Sequence, residues 1–482
     1  MLDNNYVKKK IEIGKLNFGY KKAGQEHVFK FFNELNKIDQ EVFLRQLSQV
    51  EVDQVSVLIQ QAMSHKLTQD ANKLEPLPQD VIDSSHSQWY QTGLQLIAEN
   101  KVAVILMAGG QGTRLGSQIP KGCYDIGLPS HKSLFQLQAE RIKRLQTLAS
   151  SSYGKNSIIP WYIMTSGPTD VPTRQFFKQH DYFGLSKQNV LFFKQGVLPC
   201  FDLQGKFMLE EKGKLAVAPD GNGGIYNALH REGVIKSLKE RGVLYSHCYC
   251  VDNSLAKVAD PIFIGYCASR HTDVGIKVVA KNNPEEPVGV VARRNGKYGV
   301  VEYSEISAEL ANMRSHQDGN LVYGAANIAN HFFSIDFLER VPSFADQLEY
   351  HVAHKKIPFI DVSTGEQVYP TKPNGIKLER FVFDVFGHCE AFSVLQVDRA
   401  DEFAPLKNGS GAGVDCPETS RAAILNQAQR FITQAGGHYQ DQSIEVEISP
   451  LLSYGGENLE KLNGKYIQKS CILNSLDDIY SQ

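Results

Sequence analysis

The eight cysteines of this 482-residue chain include no C-x-x-C pair. That removes the usual spacing of a zinc site, and most of the cysteines lie in apolar or strand-like surroundings, as reduced buried thiols do, so no disulfide framework is implied either. There is also no block of one charge sign. With 51 basic residues against 53 acidic ones and a net charge of −2, bulk electrostatics offer no polyanion-binding surface, and nucleic acid is not expected as a partner. Apolar runs stay short of bilayer-crossing length, and the opening residues carry Asp3 and the triplet Lys8-Lys9-Lys10 but no apolar leader segment. A cytoplasmic protein without a membrane partner is expected. The triplet reads as a solvated charged face rather than a localisation signal. No repeat of solenoid or propeller period is present.

What is there is ordinary globular material, 42% hydrophobic and 22% charged, in a chain long enough for two or three domains. Between residues 25 and 63, Val28, Phe31, Phe32, Leu35, Val42, Phe43, Leu47, Val55, Leu58 and Ile59 recur at helical spacing. Residues 80–100 predict another helix. From Val102 strands alternate with helices: strands at 102–107, 159–165, 190–194, 243–251, 275–281, 287–293, 298–303 and 392–397, and helices at 134–148 and 225–240. The fold class is therefore α/β, a doubly wound mixed sheet that is mainly parallel. Asn408-Gly409-Ser410-Gly411-Ala412-Gly413 reads as a linker, followed by a helix at 417–434 that Gly436-Gly437 stops, and an alternating tail at 443–448. Three successive regions result: a helical one at 1–100, a catalytic one at 101–407, and a small β-rich one at 408–482.

One stretch carries most of the chemistry. Val102-Ala103-Val104-Ile105-Leu106 is a buried strand, and Met107-Ala108-Gly109-Gly110-Gln111-Gly112-Thr113-Arg114 turns out of it, with Pro120-Lys121 shortly after. Glycines here bring bare main-chain N–H groups against a phosphate, and Lys121 adds a mobile positive charge. Two familiar phosphate loops fail the spacing test. A dinucleotide fingerprint needs glycine where Leu115 stands, and a Walker A loop needs Gly before and Ser or Thr after the lysine, whereas Lys121 lies between Pro120 and Gly122. An oxidoreductase reading falls with the first of these.

In open α/β sheets, ligands sit beyond the carboxyl ends of the strands, and other loops should converge there. Pro219-Asp220-Gly221-Asn222-Gly223-Gly224 offers N–H groups and an amide, though alone it could be a surface turn. Asp252, directly after a strand, can hold Mg²⁺ against phosphate oxygens or simply turn the chain with Asn253 and Ser254. Gln195 can read a base edge, provided something fixes which way its amide points.

These blocks, together with Val301-Glu302-Tyr303-Ser304, Asn374-Gly375-Ile376-Lys377 and Phe403-Ala404-Pro405-Leu406-Lys407-Asn408, resemble the eukaryotic UDP-N-acetylglucosamine pyrophosphorylases, most of all a fungal member. The resemblance implies a nucleotide-diphospho-sugar transferase-like, Rossmann-type core and a uridylyltransferase with Mg²⁺ as cofactor. Its substrates would be UTP and N-acetylglucosamine 1-phosphate, and its products UDP-N-acetylglucosamine and pyrophosphate. Carried over by position, Met107, Ala108, Gly109, Gly110, Gln195 and Gly221 would hold the uridine, Lys121 and Lys377 the UTP phosphates, and Asp252 the metal at the α-phosphate. Asn222, Gly289, Glu302, Tyr303 and Asn327 would form the sugar pocket, Lys407 would take the sugar phosphate, and Arg114 would face the leaving pyrophosphate. Asp398 receives no role, since 398–402 is charged enough to be a solvated turn. The assembly implied is a monomer or weak homodimer. A UDP-glucose or broad UDP-sugar pyrophosphorylase is the nearest alternative, and a catalytically silent nucleotide-sugar binder is another.

Overall fold

The computed structural model describes residues 4–64, 74–78, 82–83 and 88–479. Contacts divide the chain into two compact units, each made of discontinuous segments, in place of three successive regions.

The larger unit comprises Asp70–Lys194, Tyr226–Phe344 and Val385–Gln482. Among the described residues its centre is an eleven-stranded sheet. The strands that matter here are β1 (Val102–Met107), β2 (Trp161–Thr165), β3 (Val190–Lys194), β4 (Tyr245–Cys250), β5 (Val274–Ala280), β6 (Val290–Arg294), β7 (Lys297–Val301), β8 (Ala325–Ser334) and β9 (Phe392–Gln396). The main order is Ile82–Asp83, β9, β5, β8, β4, β1, β2, β3, with β6 pairing β8 and β7 pairing β6. Neighbours along the main order are parallel except at β8, which runs antiparallel to both β4 and β5. β1 and β2 are buried at every position, which is why they read as continuous apolar runs. Phe135, Ala139, Ile142 and Leu145 of helix α1 (Leu134–Tyr153), and Phe263, Ile264 and Cys267 of helix α2 (Pro261–Ser269), join them in one core. The fold is α/β with a mostly parallel sheet.

Three sequence expectations change. The helix expected at 80–100 is Tyr90–Ala98; Ile82–Asp83 instead pairs with β9, and residues 80–81 and 84–87 lie outside the described residues. The helix expected at 225–240 is two, Ile225–Arg231 and Val234–Glu240, because Gly233 adopts φ +72° between them. β8, not foreseen, crosses the sheet's middle.

Helix α3 (Pro417–Gln434) serves two cores. Ile424 and Leu425 pack with Leu115, Ile126, Leu128, Leu255 and Leu406, whereas Ile432 packs with Val446, Leu459, Leu462, Ile467 and Leu473 in the small C-terminal core. The tail strands Val446–Ile448 and Cys471–Leu473 pair in parallel.

The smaller unit comprises Met1–Gln69, Gln195–Ile225 and Ala345–Asp384. Its helices Asn4–Lys22, Lys37–Ser48 and Val52–Ser64 supply Tyr20, Phe43, Leu47, Val55 and Ile59 to a core completed by Phe201, Phe207, Leu209, Ile376 and Leu378. The N-terminal helices thus share one core with segments far along the chain. A three-stranded sheet runs His351–Lys355, Gly375–Glu379, Phe201–Asp202. Among the described residues, no helix is long and apolar enough to cross a membrane.

Candidate active site

In the larger unit the register of β1 against β4 sets Met107 opposite Cys250. The loops that follow, carrying Ala108 to Lys121 and Asp252, therefore leave the sheet side by side at its carboxyl edge. Ala108 N–H donates to Met164 O at 2.9 Å, and Ser166 Oγ donates to Gly109 O at 2.7 Å, fixing the start of the glycine loop. The return is fixed by Lys121 N–H donating to Gly110 O at 3.3 Å. Gly112 is crowded by the chain itself, since a Cβ there would lie 3.1 Å from Ile119 O. At Gly110, however, a Cβ meets nothing within 4 Å. The protein gives no steric reason for glycine at that exposed position, whereas the close approach of a ligand does.

Lys121 Nζ reaches Asp252 Oδ2 at 3.3 Å, with both side chains largely covered. Leu406 N–H donates to Asp252 O at 2.8 Å, which brings Lys407 alongside. Burial pushes the neighbouring Cys250 thiol up to about 12, with Asp252 adding to the rise and Lys121 and Lys407 opposing it. Lys407 also lies 3.7 Å from Asp415 Oδ2. Arg114 is exposed on the short 3₁₀ turn Thr113–Leu115.

A second group forms at β6 to β8. Asn327 N–H donates to Gly289 O at 2.9 Å, and a Cβ on Gly289 would come within 3.1 Å of Glu302 Oε1. Gly289, Glu302 and Asn327 are thereby brought together, while Tyr303 is 54% exposed beside them. Asn327 Oδ1 accepts from Ala329 N–H at 2.9 Å. That leaves its amide N–H₂ as the part that can donate to a ligand. Asp398, given no role, caps the helix Arg399–Glu402 by accepting from Ala400 N–H at 2.9 Å.

The smaller unit holds the remaining four candidates. Gln195 Nε2 donates to Gly221 O. Because the partner is a carbonyl, the amide orientation is settled and Oε1 is the free-facing acceptor type. Gly221 adopts φ +84°, and a Cβ on it would fall 2.1 Å from Arg380 O, so only glycine fits. Asn222 Oδ1 accepts from Val382 N–H at 2.9 Å. Lys377 is half-buried on the central strand of the small sheet. Asn374 exchanges two bonds with the Ile357 backbone, at 2.8 and 2.9 Å, which anchors the start of that strand.

Among the described residues, no group of three or more His, Cys, Asp or Glu could hold a metal. A donor set of one carboxylate paired to a lysine does not fit a resident ion. It does fit Mg²⁺ that takes its other ligands from substrate phosphates and water, the usual arrangement for that cation.

Sequence reasoning missed the groups that hold Asp252 in place. From α1, Gln138 Nε2 donates to Val251 O at 3.2 Å, and Arg141 Nη1 donates to Ser254 O and Ala256 O at 2.9 and 3.1 Å. Asn253, read earlier only as part of a turn, donates from Nδ2 to Glu402 O at 2.7 Å and accepts from Ala404 N–H at 3.0 Å. The available signal was a glutamine and an arginine on the apolar face of a helix, at 138 and 141.

With this geometry in hand, the family described as UTP–glucose-1-phosphate uridylyltransferase matches residues 49–476. The chain belongs to that family. It is 46% identical over 469 residues to the UDP-N-acetylhexosamine pyrophosphorylase-like protein 1 of Xenopus tropicalis, with 91% of each chain covered. It is 44% identical over 469 residues to the UDP-N-acetylglucosamine pyrophosphorylase of Saccharomyces cerevisiae, covering 94% of this chain and 97% of that one. Frog and yeast relatives stand at near-equal identity, so the likeness is not particular to fungi. Among solved structures of the fold, the uridine diphosphate N-acetylglucosamine pyrophosphorylase of Trypanosoma brucei superposes with a TM-score of 0.82 at 31% identity, covering 93% of this chain and 94% of that one.

Proposed function

We propose that this member of the family transfers UMP from UTP to N-acetylglucosamine 1-phosphate, giving UDP-N-acetylglucosamine and pyrophosphate. The observation that carries the reading is the pairing of Lys121 with Asp252, 131 residues apart in sequence, where two adjacent parallel strands end together beside Lys407. The similarity to the frog UDP-N-acetylhexosamine pyrophosphorylase-like protein 1 and the yeast UDP-N-acetylglucosamine pyrophosphorylase supports the choice of an N-acetylated sugar.

Two anions must meet in this reaction, and unit charges about 4 Å apart repel by roughly 4 kcal/mol at an effective dielectric near 20. In the larger unit Lys121, Lys407 and Arg114 offset that repulsion, with the main-chain N–H groups of Gly109 and Gly110. The sugar phosphate is already ionised. An in-line displacement then needs alignment and charge stabilisation rather than a protein nucleophile, so no uridylylated enzyme forms. Mg²⁺, anchored by the Asp252 carboxylate, supplies neutralisation of the triphosphate when bound. Gln195 Oε1, its amide fixed by Gly221 O, suits the N3–H donor of uracil.

In the sugar pocket, Gly289 lets Val300 and Glu302 pack against the chain, since a Cβ there would lie 2.7 Å from Val300 Cγ1, and Asn327 donates to the acetamido carbonyl. Glucose 1-phosphate would leave that donor without its partner. The chain acts in the cytoplasm as a monomer or weak homodimer. Pyrophosphate release from UTP with a panel of sugar 1-phosphates, with and without EDTA, tests the reading. The expected result is metal-dependent release with N-acetylglucosamine 1-phosphate well above glucose 1-phosphate. Preference for glucose 1-phosphate would favour the alternative that the family's description carries, and no release with any sugar would favour a silent binder.

A further inference from the structure

Under the loops that carry Asp252 and Lys407 lies a charge cluster that the proposed reaction does not use. Lys277, on β5, is fully buried and donates to both Asp260 and Glu402, themselves buried. Lys257 lies 3.7 Å from the other Glu402 oxygen. Two lysines thus balance two carboxylates. Burial alone would neutralise Lys277 and Asp260, yet the attraction between the charges prevails: it holds the Lys277 ammonium above its ordinary range and the Asp260 carboxyl below its own.

Each carboxylate stands at the end of a segment that matters. Asp260 closes the loop that begins at Asp252, where it accepts from Ile262 N–H at 3.1 Å to cap α2. Glu402 opens the segment that ends at Lys407. Between these two ends the segments are stitched together. Asn253 Nδ2 donates to Glu402 O at 2.7 Å, Ala404 N–H to Asn253 Oδ1 at 3.0 Å, Ser254 N–H to Ala404 O at 3.1 Å, and Leu406 N–H to Asp252 O at 2.8 Å.

A buried ionic cluster is a poor source of stability, because apolar side chains of similar volume usually do as well or better. What it supplies instead is a unique register, since both carboxylates must meet one ammonium at once. We infer that Lys277, acting through Asp260 and Glu402, is a positioning residue that sets the loop of Asp252 against the segment of Lys407. It thereby fixes the spacing between the carboxylate at the α-phosphate and the ammonium at the sugar phosphate. This rests on the reading of the site given above.

The test uses the full chain. Lys277→Met strands two buried carboxylates and is expected to unfold much of the protein, so Glu402→Gln is the working variant, with the neutral triple variant Lys277→Met/Asp260→Asn/Glu402→Gln beside it. Amide hydrogen exchange in peptides spanning 252–256 and 403–407 is expected to quicken about tenfold in both variants while the remaining strands keep their protection. In steady-state assays kcat is expected to fall about 10- to 100-fold, as for groups that orient a ligand-bearing side chain, with KM for UTP within about twofold. A triple variant that melts no lower than the parent and still shows both losses would separate register from stability. Parental exchange at 403–407 in either folded variant, or parental kcat with faster exchange, would overturn the inference. Absence of pyrophosphate release in the parent chain would sink the functional reading instead, and the exchange measurement would still decide the register.

Discussion

The two units present their candidate residues in different ways. In the larger unit, Lys121, Asp252 and Lys407 are placed by the carboxyl ends of β1 and β4, which neighbouring parallel strands and buried polar groups hold in register. In the smaller unit, Gln195, Gly221 and Lys377 come from short elements, and one left-handed glycine packed against Arg380 sets the shape. The first arrangement offers charge at fixed spacing, as phosphoryl chemistry requires. At Gln195 and Gly221 the second offers hydrogen bonds and a tight contour, as recognition of a base requires, with Lys377 as its one cation. If that contrast holds, damage to the first should fall on kcat and damage to the second on KM.

The largest effect is expected at Asp252. Asp252→Asn keeps the volume but removes the charge, and kcat is expected to drop about 10³-fold in a pyrophosphate-release assay, with a smaller change in KM for UTP. A variant affected only in KM would break the contrast at its strongest point. Gln195→Ala is the counterpart in the smaller unit: kcat/KM for UTP should fall about 10- to 100-fold, chiefly through KM, and the preference for UTP over CTP should narrow. Equal loss for both nucleotides would remove the base-reading role.

Asn327→Ala is expected to raise KM for N-acetylglucosamine 1-phosphate about tenfold and to leave KM for UTP near its parental value. A matching loss for UTP would move Asn327 out of the sugar pocket. The remaining effect is on stability and not on activity. His247 and His331, both buried in the larger unit, are held neutral by burial until about pH 4 and about pH 3. In the unfolded chain they protonate near pH 6.5. The unfolded state therefore binds more protons below that pH, and stability falls as pH drops from about 6.5, at roughly 1.4 kcal/mol per pH unit for each histidine. Denaturant midpoints between pH 7 and 5 should show the slope. His331→Phe, which suits its neighbours Phe333 and Phe386, should remove one share of it, and an unchanged slope would exclude His331 as a source.

The same contrast explains what could be read from the sequence. β1 to β3 are short, mainly apolar runs, and the glycine loop follows the first of them directly, so strand and turn were visible together. β8 was not visible: Asn327, Asn330 and His331 interrupt its apolar pattern, and it acquires its place only by pairing with β4 and β5. The core of the smaller unit is not legible in the N-terminal helices alone, because it needs Phe201, Phe207, Ile376 and Leu378 from segments that no local periodicity connects to those helices. The candidate site residues were legible because glycine, lysine and carboxylate motifs carry their chemistry locally. Gln138, Arg141 and Lys277 were not, since their importance comes from being buried. Lys277 did leave a trace, a single charge inside the apolar run Val274-Gly275-Ile276-Lys277-Val278-Val279.

The central proposal is that the glycine loop at Gly109 and Gly110, with Lys121 and Asp252, receives the nucleotide. A crystal structure with UTP and Mg²⁺ tests it most directly. The account predicts triphosphate oxygens within hydrogen-bond reach of Lys121 Nζ and the glycine-loop amides, with the cation on Asp252. A nucleotide bound away from residues 107–121 and 252 would contradict it.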